Sequence, residues 1–354
     1  MTSTDDTSPT STAGPGAGGS GRPPAMTDVA RFVGVSHQTV SRVINNHPNV
    51  RPQTRARVLA AMTELGYRPN TAARALATGR ARALGVLTPP GTLFGPLSTL
   101  SGIEEAAWAA GYQLSVVSLR SVDQASVQQA VSRLMRLSID GVIAIAPLLD
   151  SGEALGLVAR SIPFVAVEGY PQGDLAVVSV DQECGARMAT EHLLAAGHPT
   201  VWHLAGPDRY FEGVSRVNGW RDALLDAGAA VPPVLTGDWT ARTGYEYGKV
   251  LARRLDVTAI FVANDQMALG ALRALREHGR RVPEEVSVVG FDDIPEAGYF
   301  SPPLTTIRQD FTEVGRQSLR SLIAQIESGA SSRTRVVIPP SLVVRQSTAP
   351  PPAQ

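Results

Sequence analysis

The side chains best suited to binding chemistry fall where apolar runs end. Asn264-Asp265 follows the run from Ala259 to Ala263, Asp292-Asp293 closes the run from Val286 to Phe291, and Glu168 follows Phe164 to Val167. Arg216 and Trp239 stand at loop or helix-start positions. Carboxylates, amides and a guanidinium pair hydroxyl groups, and an indole offers a flat plate to the C–H face of a ring, so this set suits a small polyhydroxylated ligand. Asp265 reads as structural, a cap for a helix that starts at Gln266. Catalytic and metal chemistry find no matching constellation. His192, His198 and His203 are spaced six and five apart, which puts no two ligands on one helical face. Cys184 has no basic neighbour in sequence and reads as a buried bystander. The glycine-rich run from Gly14 to Gly21 follows no strand and makes no phosphate cradle, and adjacent strand residues such as Asp292 and Asp293 point to opposite faces. Neither an enzyme activity, a metal nor a cofactor is expected.

A second group of residues suits a polyanion. Residues 22–82 carry ten arginines against Asp28 and Glu64, a surplus of eight positive charges in a chain whose formal net charge is zero. Within that stretch Asp28 to Val33 makes a short helix, Gly34-Val35 a tight turn, and Ser36 caps a second helix. Val40 and Val43 face the first helix through Val29, Ala30 and Val33, which turns His37, Gln38 and Arg42 outward. Gln bridges an adenine edge and Arg a guanine edge in a major groove, while Thr39 and Ser41 have the size to approach phosphate.

The surrounding pattern says what positions these groups. Residues 1–21 are mostly Ser, Thr, Gly, Pro and Asp with no apolar run, so they read as a disordered tail rather than a secretory signal. Val58, Met62 and Leu65 recur at helical spacing, and Gly66 with Tyr67-Arg68-Pro69-Asn70 ends that helix. Residues 71–80 form an Ala- and Arg-rich connector too small for a core of its own. From Ala83 onward, short apolar runs at Leu84 to Leu87, Leu114 to Leu119, Gly141 to Ala146, Phe164 to Val167, Thr200 to Leu204, Ala259 to Ala263 and Val286 to Gly290 alternate with amphipathic segments. This is the pattern of βαβ units, and over some 250 residues it implies two parallel-sheet lobes that share a cleft at their strand ends. A single cysteine excludes an internal disulfide framework and fits a reducing, cytoplasmic setting. No run approaches the roughly 18 apolar residues of a membrane span, so no membrane partner is expected.

Met26-Thr27-Asp28-Val29-Ala30 together with Gly34 through Asn45 resembles the headpiece of the LacI/GalR family, and the likeness extends over nearly the whole chain after residue 25. Further segments that carry it are Leu93-Phe94-Gly95-Pro96, Gly237-Asp238-Trp239, Val262 through Gly270 and Pro302 through Phe311. The resemblance implies an α/β protein, with an all-α helix-turn-helix headpiece on a two-lobed body of parallel sheets like that of periplasmic binding proteins. Its implied boundaries are a tail at 1–24, headpiece at 25–69, hinge at 70–82, one lobe at 83–181 with 309–338, and the other at 182–308 with 339–349. It also implies a repressor that binds double-stranded operator DNA as a homodimer under control of a small sugar, with a galactoside as the expected effector. His37, Gln38 and Arg42 would read bases, and Ser36, Thr39, Ser41 and Asn45 would hold the backbone. In the hinge, Leu76 would wedge into the minor groove and Ala73 would let paired helices approach. In the cleft, Arg216, Asn264 and Asp292 would bind hydroxyls, with Glu168 beside them. Trp239 would stack on the ring, Gln309 would bridge the lobes, and Leu93, Pro96 and Phe311 would form an apolar wall. Ala25 departs from the family, which has Ser or Thr there. A lost cap costs about 1 kcal/mol and leaves the first turn to fray or borrow Thr27. The last residues carry no leucine heptad, so a coiled-coil tetramer is not implied. The competing class is a sugar-binding receptor with no DNA role, against which the basic headpiece stands.

Overall fold

The computed structural model describes residues 23–45, 47–68, 80–91, 93–121, 124–145, 152–169 and 175–353. The chain divides into two compact units, Met1–Arg80 and Ala81–Gln354.

In the first unit, helices α1 (Met26–Val33), α2 (His37–Ile44) and α3 (Pro52–Glu64) surround a small core of Val29, Ala30, Val33, Val40, Val43, Val58, Ala61 and Tyr67. Gly34 ends α1 in the left-handed region at φ 72°, a conformation that costs Gly nothing. Ser36 caps α2 by accepting from the Thr39 amide at 3.1 Å. The start of α1 corrects the expectation at Ala25. Asp28 reaches back to accept from the Ala25 amide at 2.8 Å, so the third helical residue supplies half of a capping box and Thr27 is not borrowed. The hinge positions Ala73 and Leu76 lie outside the described residues.

The second unit contains two six-stranded sheets. The first holds β1 (Ala83–Thr88), β2 (Gln113–Ser118), β3 (Gly141–Ile145), β4 (Phe164–Val167), β5 (Ala176–Val180) and β11 (Arg335–Ile338), in the order β11-β5-β4-β3-β1-β2 and parallel throughout. The second holds β6 (Trp202–Ala205), β7 (Leu235–Thr236), β8 (Ala259–Val262), β9 (Ser287–Asp292), β10 (Thr305–Arg308) and β12 (Ser341–Val343), in the order β12-β10-β9-β8-β6-β7, with β12 antiparallel to β10. Central strands are apolar on both faces, as expected for parallel sheets covered by helices on each side. The covering helices are α4 (Phe94–Ala109), α5 (Gln124–Met135), α6 (Gly152–Ala159), α7 (Gln182–Ala195), α8 (Phe211–Asp226), α9 (Ala241–Ala252), α10 (Asp265–Glu277) and α11 (Phe311–Ser328). The chain passes between the sheets three times, after β5, after β10 and between β11 and β12. Among the described residues no helix is long and apolar enough to cross a membrane.

Helices α9 and α10, which bring Trp239 and Asn264 to one place, are locked by glycine. A Cβ on Gly270 would overlap the Ala241 carbonyl, and one on Gly244 would overlap the Met267 carbonyl. Gly270→Ala therefore has to push the two helix backbones apart and should lower stability by about 3 kcal/mol or more in urea unfolding. By contrast, nothing lies within 4 Å of a Cβ on Gly156 in α6. Gly156→Ala should be neutral or stabilise by up to about 1 kcal/mol.

Candidate functional site

A cavity of about 270 Å³ opens in the second unit, close to the lower bound for small-molecule sites. Its wall is built from the carboxyl ends of strands and the first turns of α4, α7, α8, α9, α10 and α11. At its centre is a closed polar ring. Arg216 donates from Nε to Gln182 Oε1 at 2.9 Å, and Gln182 Nε2 donates to Gln309 Oε1 at 2.9 Å. Gln309 Nε2 donates to Asp292 Oδ1 at 2.7 Å, and Asp292 returns to Arg216 Nη2 at 3.6 Å. Arg216 Nη1 also donates to the Ala263 carbonyl, and the guanidinium carbon lies 3.7 Å from the centre of the Phe291 ring. Glu168 accepts from the Val180 amide at 2.8 Å and from Gln182 Nε2 at 3.4 Å. Asn264 is anchored at both ends, accepting from the Met267 amide at 2.9 Å and donating to the Trp239 carbonyl at 3.0 Å. Trp239, 8% exposed, meets the edge of Tyr210 at 5.9 Å. Phe94 and Phe311 pack edge to face at 5.8 Å on the apolar side.

The electrostatics follow from burial. Burial works against the charge of Arg216, while Asp292, Glu212 and Glu168 support it. Burial raises each carboxyl as well: Asp292 to about 6, against the pull of Arg216 and Gln309; Glu168 to about 7; and Glu212 to about 8, with repulsion from Glu168 adding to the last. Glu168, Trp239 and Asp292 also hold positive φ values of 51°, 71° and 104°, which side-chain-bearing residues seldom adopt. Such strain persists only where packing over-determines it, and it gathers at sites that must hold a fixed geometry.

All nine residues expected in the cleft line this cavity: Leu93, Pro96, Glu168, Arg216, Trp239, Asn264, Asp292, Gln309 and Phe311. Sequence reasoning did not find Gln182, Tyr210, Glu212 and Gln266, which line it too. Gln182 comes two residues after the end of β5 at Val180, as Asn264 comes two after the end of β8 at Val262, whereas Glu212 and Gln266 lie inside helical segments that carry no such mark. Arg216 sits in the second turn of α8 rather than at a helix start. Two structural readings need correction. Asn264, not Asp265, caps α10, while Asp265 accepts from the Ile294 amide and the Thr306 hydroxyl and so ties α10 to β10 and to the segment that follows β9. Cys184 is exposed in the first turn of α7, because the buried face there is taken by Gln182, Gly185 and Ala186. The histidines serve packing: His198 bonds to Thr258, Ser287 and the Ala349 carbonyl, and His203 stacks on Phe261 at 4.5 Å.

On the first unit, His37, Gln38 and Arg42 are exposed along α2, with Val40 and Val43 buried behind them. Ser36 and Asn45 are exposed at its two ends, and Thr39 and Ser41 are half-buried. Ser36 pairs with Thr39 at 2.9 Å, and Asn45 donates to Ser41 at 3.4 Å, so these four brace the helix face.

Residues 25–70 match the profile of bacterial regulatory proteins of the lacI family, and residues 190–348 match that of a periplasmic binding protein-like domain. The chain is similar to the lactose operon repressor of Escherichia coli, 35% identical over 336 residues, spanning 94% of this chain and 93% of that protein. It is also similar to the HTH-type transcriptional regulator CelR of Thermobifida fusca, 35% identical over 337 residues and covering 92% and 98% of the two chains. Among solved structures, the Lac repressor dimer bound to operator and the anti-inducer ONPF aligns with a TM-score of 0.83 at 35% identity, over 93% of this chain and all of the other. The CelR–cellobiose complex aligns with a TM-score of 0.69 at 32% identity, over 92% and 99%.

The raised Glu212 carboxyl sets a pH signature. The native state keeps its proton from 4.5 to about 8, where the unfolded chain has already released it, so this group favours folding at low pH and loses that effect as pH rises through about 8. His192, His198 and His203, all lowered by burial, work in the opposite direction below 6.5. The Glu212→Gln variant isolates the carboxyl from them. Its stability relative to the unmodified protein should grow by at least about 1 kcal/mol between pH 5 and 8 in urea unfolding, and an unchanged difference would sink the assignment.

Proposed function

Since the chain belongs to the LacI family of DNA-binding transcriptional regulators, we propose that it is a homodimeric repressor whose operator affinity is set by a small sugar held in the Arg216 cleft. What carries the reading is the convergence of a guanidinium, carboxyls, amides and an indole plate on one cavity. A galactoside is the proposed effector, on the similarity to the lactose operon repressor. The complex of CelR with cellobiose favours a second reading, a β-linked glucose disaccharide.

His37, Gln38 and Arg42 serve as the base readers, and Ser36, Thr39, Ser41 and Asn45 position the phosphate backbone. Ala73 and Leu76, in the segment joining the two units, belong to the hinge that follows the lobes. A sugar shifts DNA affinity only by the difference between its affinities for two lobe arrangements. Glu168, Arg216, Asn264, Asp292 and Gln309 are the groups that sense closure, because Glu168 follows β4 of the first sheet while the other four come from segments at the ends of the second. Leu93, Pro96 and Phe311 exclude water from the sugar's apolar face.

Fluorescence anisotropy with a promoter-proximal palindrome tests the DNA arm. Arg42→Ala should weaken binding by about 1–3 kcal/mol while leaving the thermal midpoint unchanged. A thermal-shift screen of galactosides and cellobiose tests the other arm: a sugar at 100 times its dissociation constant adds about 2.7 kcal/mol of stability. The same sugar should then change the anisotropy midpoint. A sugar that stabilises the protein without changing operator affinity would refute the coupling.

A further inference from the structure

We propose that Glu212 acts as a charge filter in the cleft, selecting effectors that bring a hydrogen-bond donor to the Glu212–Gln266 side and turning away sugars that carry a phosphate or a carboxylate. The proposal rests on the sugar reading of the cleft and narrows its ligand class.

The first observation is an unmet need. Glu212 Oε2 and Gln266 Oε1 are buried side-chain oxygens with no hydrogen-bond partner among the described residues, and both residues line the cavity. A buried polar atom left unpaired is costly, and a ligand hydroxyl or ammonium relieves it by donating.

The second observation is the charge balance. Glu168, Glu212 and Asp292 line the cavity, and among the described lining residues Arg216 is the sole cation. Its donors are already directed at Gln182, the Ala263 carbonyl and Asp292. An anionic sugar would thus meet three carboxyls and one guanidinium that is already paired with Gln182, the Ala263 carbonyl and Asp292. The helices push the other way, because a ring of helix N-termini by itself attracts an anion. Glu212, the second residue of α8, puts a carboxyl at one of those termini. Once Glu212 has released its proton, a phosphate has to compete with that side chain at close range in a poorly solvated cavity, where like charges repel strongly.

Glu168, Arg216 and Asp292 are the charged groups that face Glu212. Since burial and Glu168 push its carboxyl up to about 8, the filter strengthens as pH rises through that value.

Isothermal titration calorimetry of the full chain and of Glu212→Gln, with galactose, galactosamine, galactose 6-phosphate and galacturonate at pH 7 and 9, tests the filter. In the unmodified protein the preference for galactose over either anionic sugar should be about tenfold larger at pH 9 than at pH 7, because Glu212 keeps its proton at pH 7 and has lost it by pH 9. Glu212→Gln should narrow the pH 9 preference by about tenfold, leave the pH 7 preference within about twofold, and so flatten the pH dependence. Galactosamine binding more tightly than galactose at pH 7 identifies an ammonium as the preferred donor, and equal binding identifies a hydroxyl; either supports the filter. Equal affinity for galactose and its 6-phosphate at pH 9, or a pH 9 ratio unmoved by Glu212→Gln, overturns it. Should the variant fail to fold, a ratio that stays flat from pH 7 to 9 in the unmodified protein overturns it as well. Binding of none of the four rejects the galactoside reading, and the filter with it.

Discussion

The cleft depends on one buried charge. Arg216 is held away from water, with its side chain 4% exposed, and such a charge is tolerated only when it is paired and hydrogen-bonded on every side. Gln182, the Ala263 carbonyl and Asp292 meet that demand, and Phe291 lies under the guanidinium plane. Breaking a buried pair costs about 3–5 kcal/mol, so each partner is fixed as firmly as the arginine is. The partners come from the first turn of α7, the end of β8 and the end of β9, and Gln309 from the crossing after β10 closes the ring. A single guanidinium thus fixes where segments distant in sequence meet.

The sheets explain why those segments end at one place. In a parallel sheet every strand delivers its carboxyl end to the same edge, and every following helix starts there, so polar first-turn residues gather without any local signal between them. Gln182, Glu212, Ala241, Gln266 and Phe311 each lie within the first two positions of a helix, and all line the cavity. Close helix packing keeps this edge compact. Gly244 and Gly270 let α9 and α10 approach until backbone meets backbone, which holds Trp239 and Asn264 in register with Arg216.

The first unit is limited by its size. Its core consists of a few valines, two alanines and Tyr67, and its helices are short enough that caps carry a large share of their stability. Ser36 at α2 and the Asp28 reach-back at α1 fill those roles. The exposed face of α2 is then free for polar contact because its buried valines all point inward.

Much of the fold was legible in the sequence, because periodicity is local. Valine spacing marked the two short helices, Gly34 and Ser36 their boundary, and apolar runs the central strands, while the nine cleft residues stood out as polar side chains at run ends or through a family likeness. The arginine surplus marked the first unit with no reference to shape. Other features were settled by tertiary structure alone. Whether Asn264 or Asp265 caps α10 depends on the segments at β9 and β10, where the Ile294 amide and the Thr306 hydroxyl claim Asp265. Cys184 faces out because its neighbours fill the buried side of α7. Glu212 looked like an ordinary acidic residue near a helix start. Its burial beside Glu168 and Asp292 arises from residues 44 and 80 positions away. Sequence determines which side chains exist and which local elements they favour, but desolvation and charge repulsion depend on distances through space, and only the packed lobes supply those.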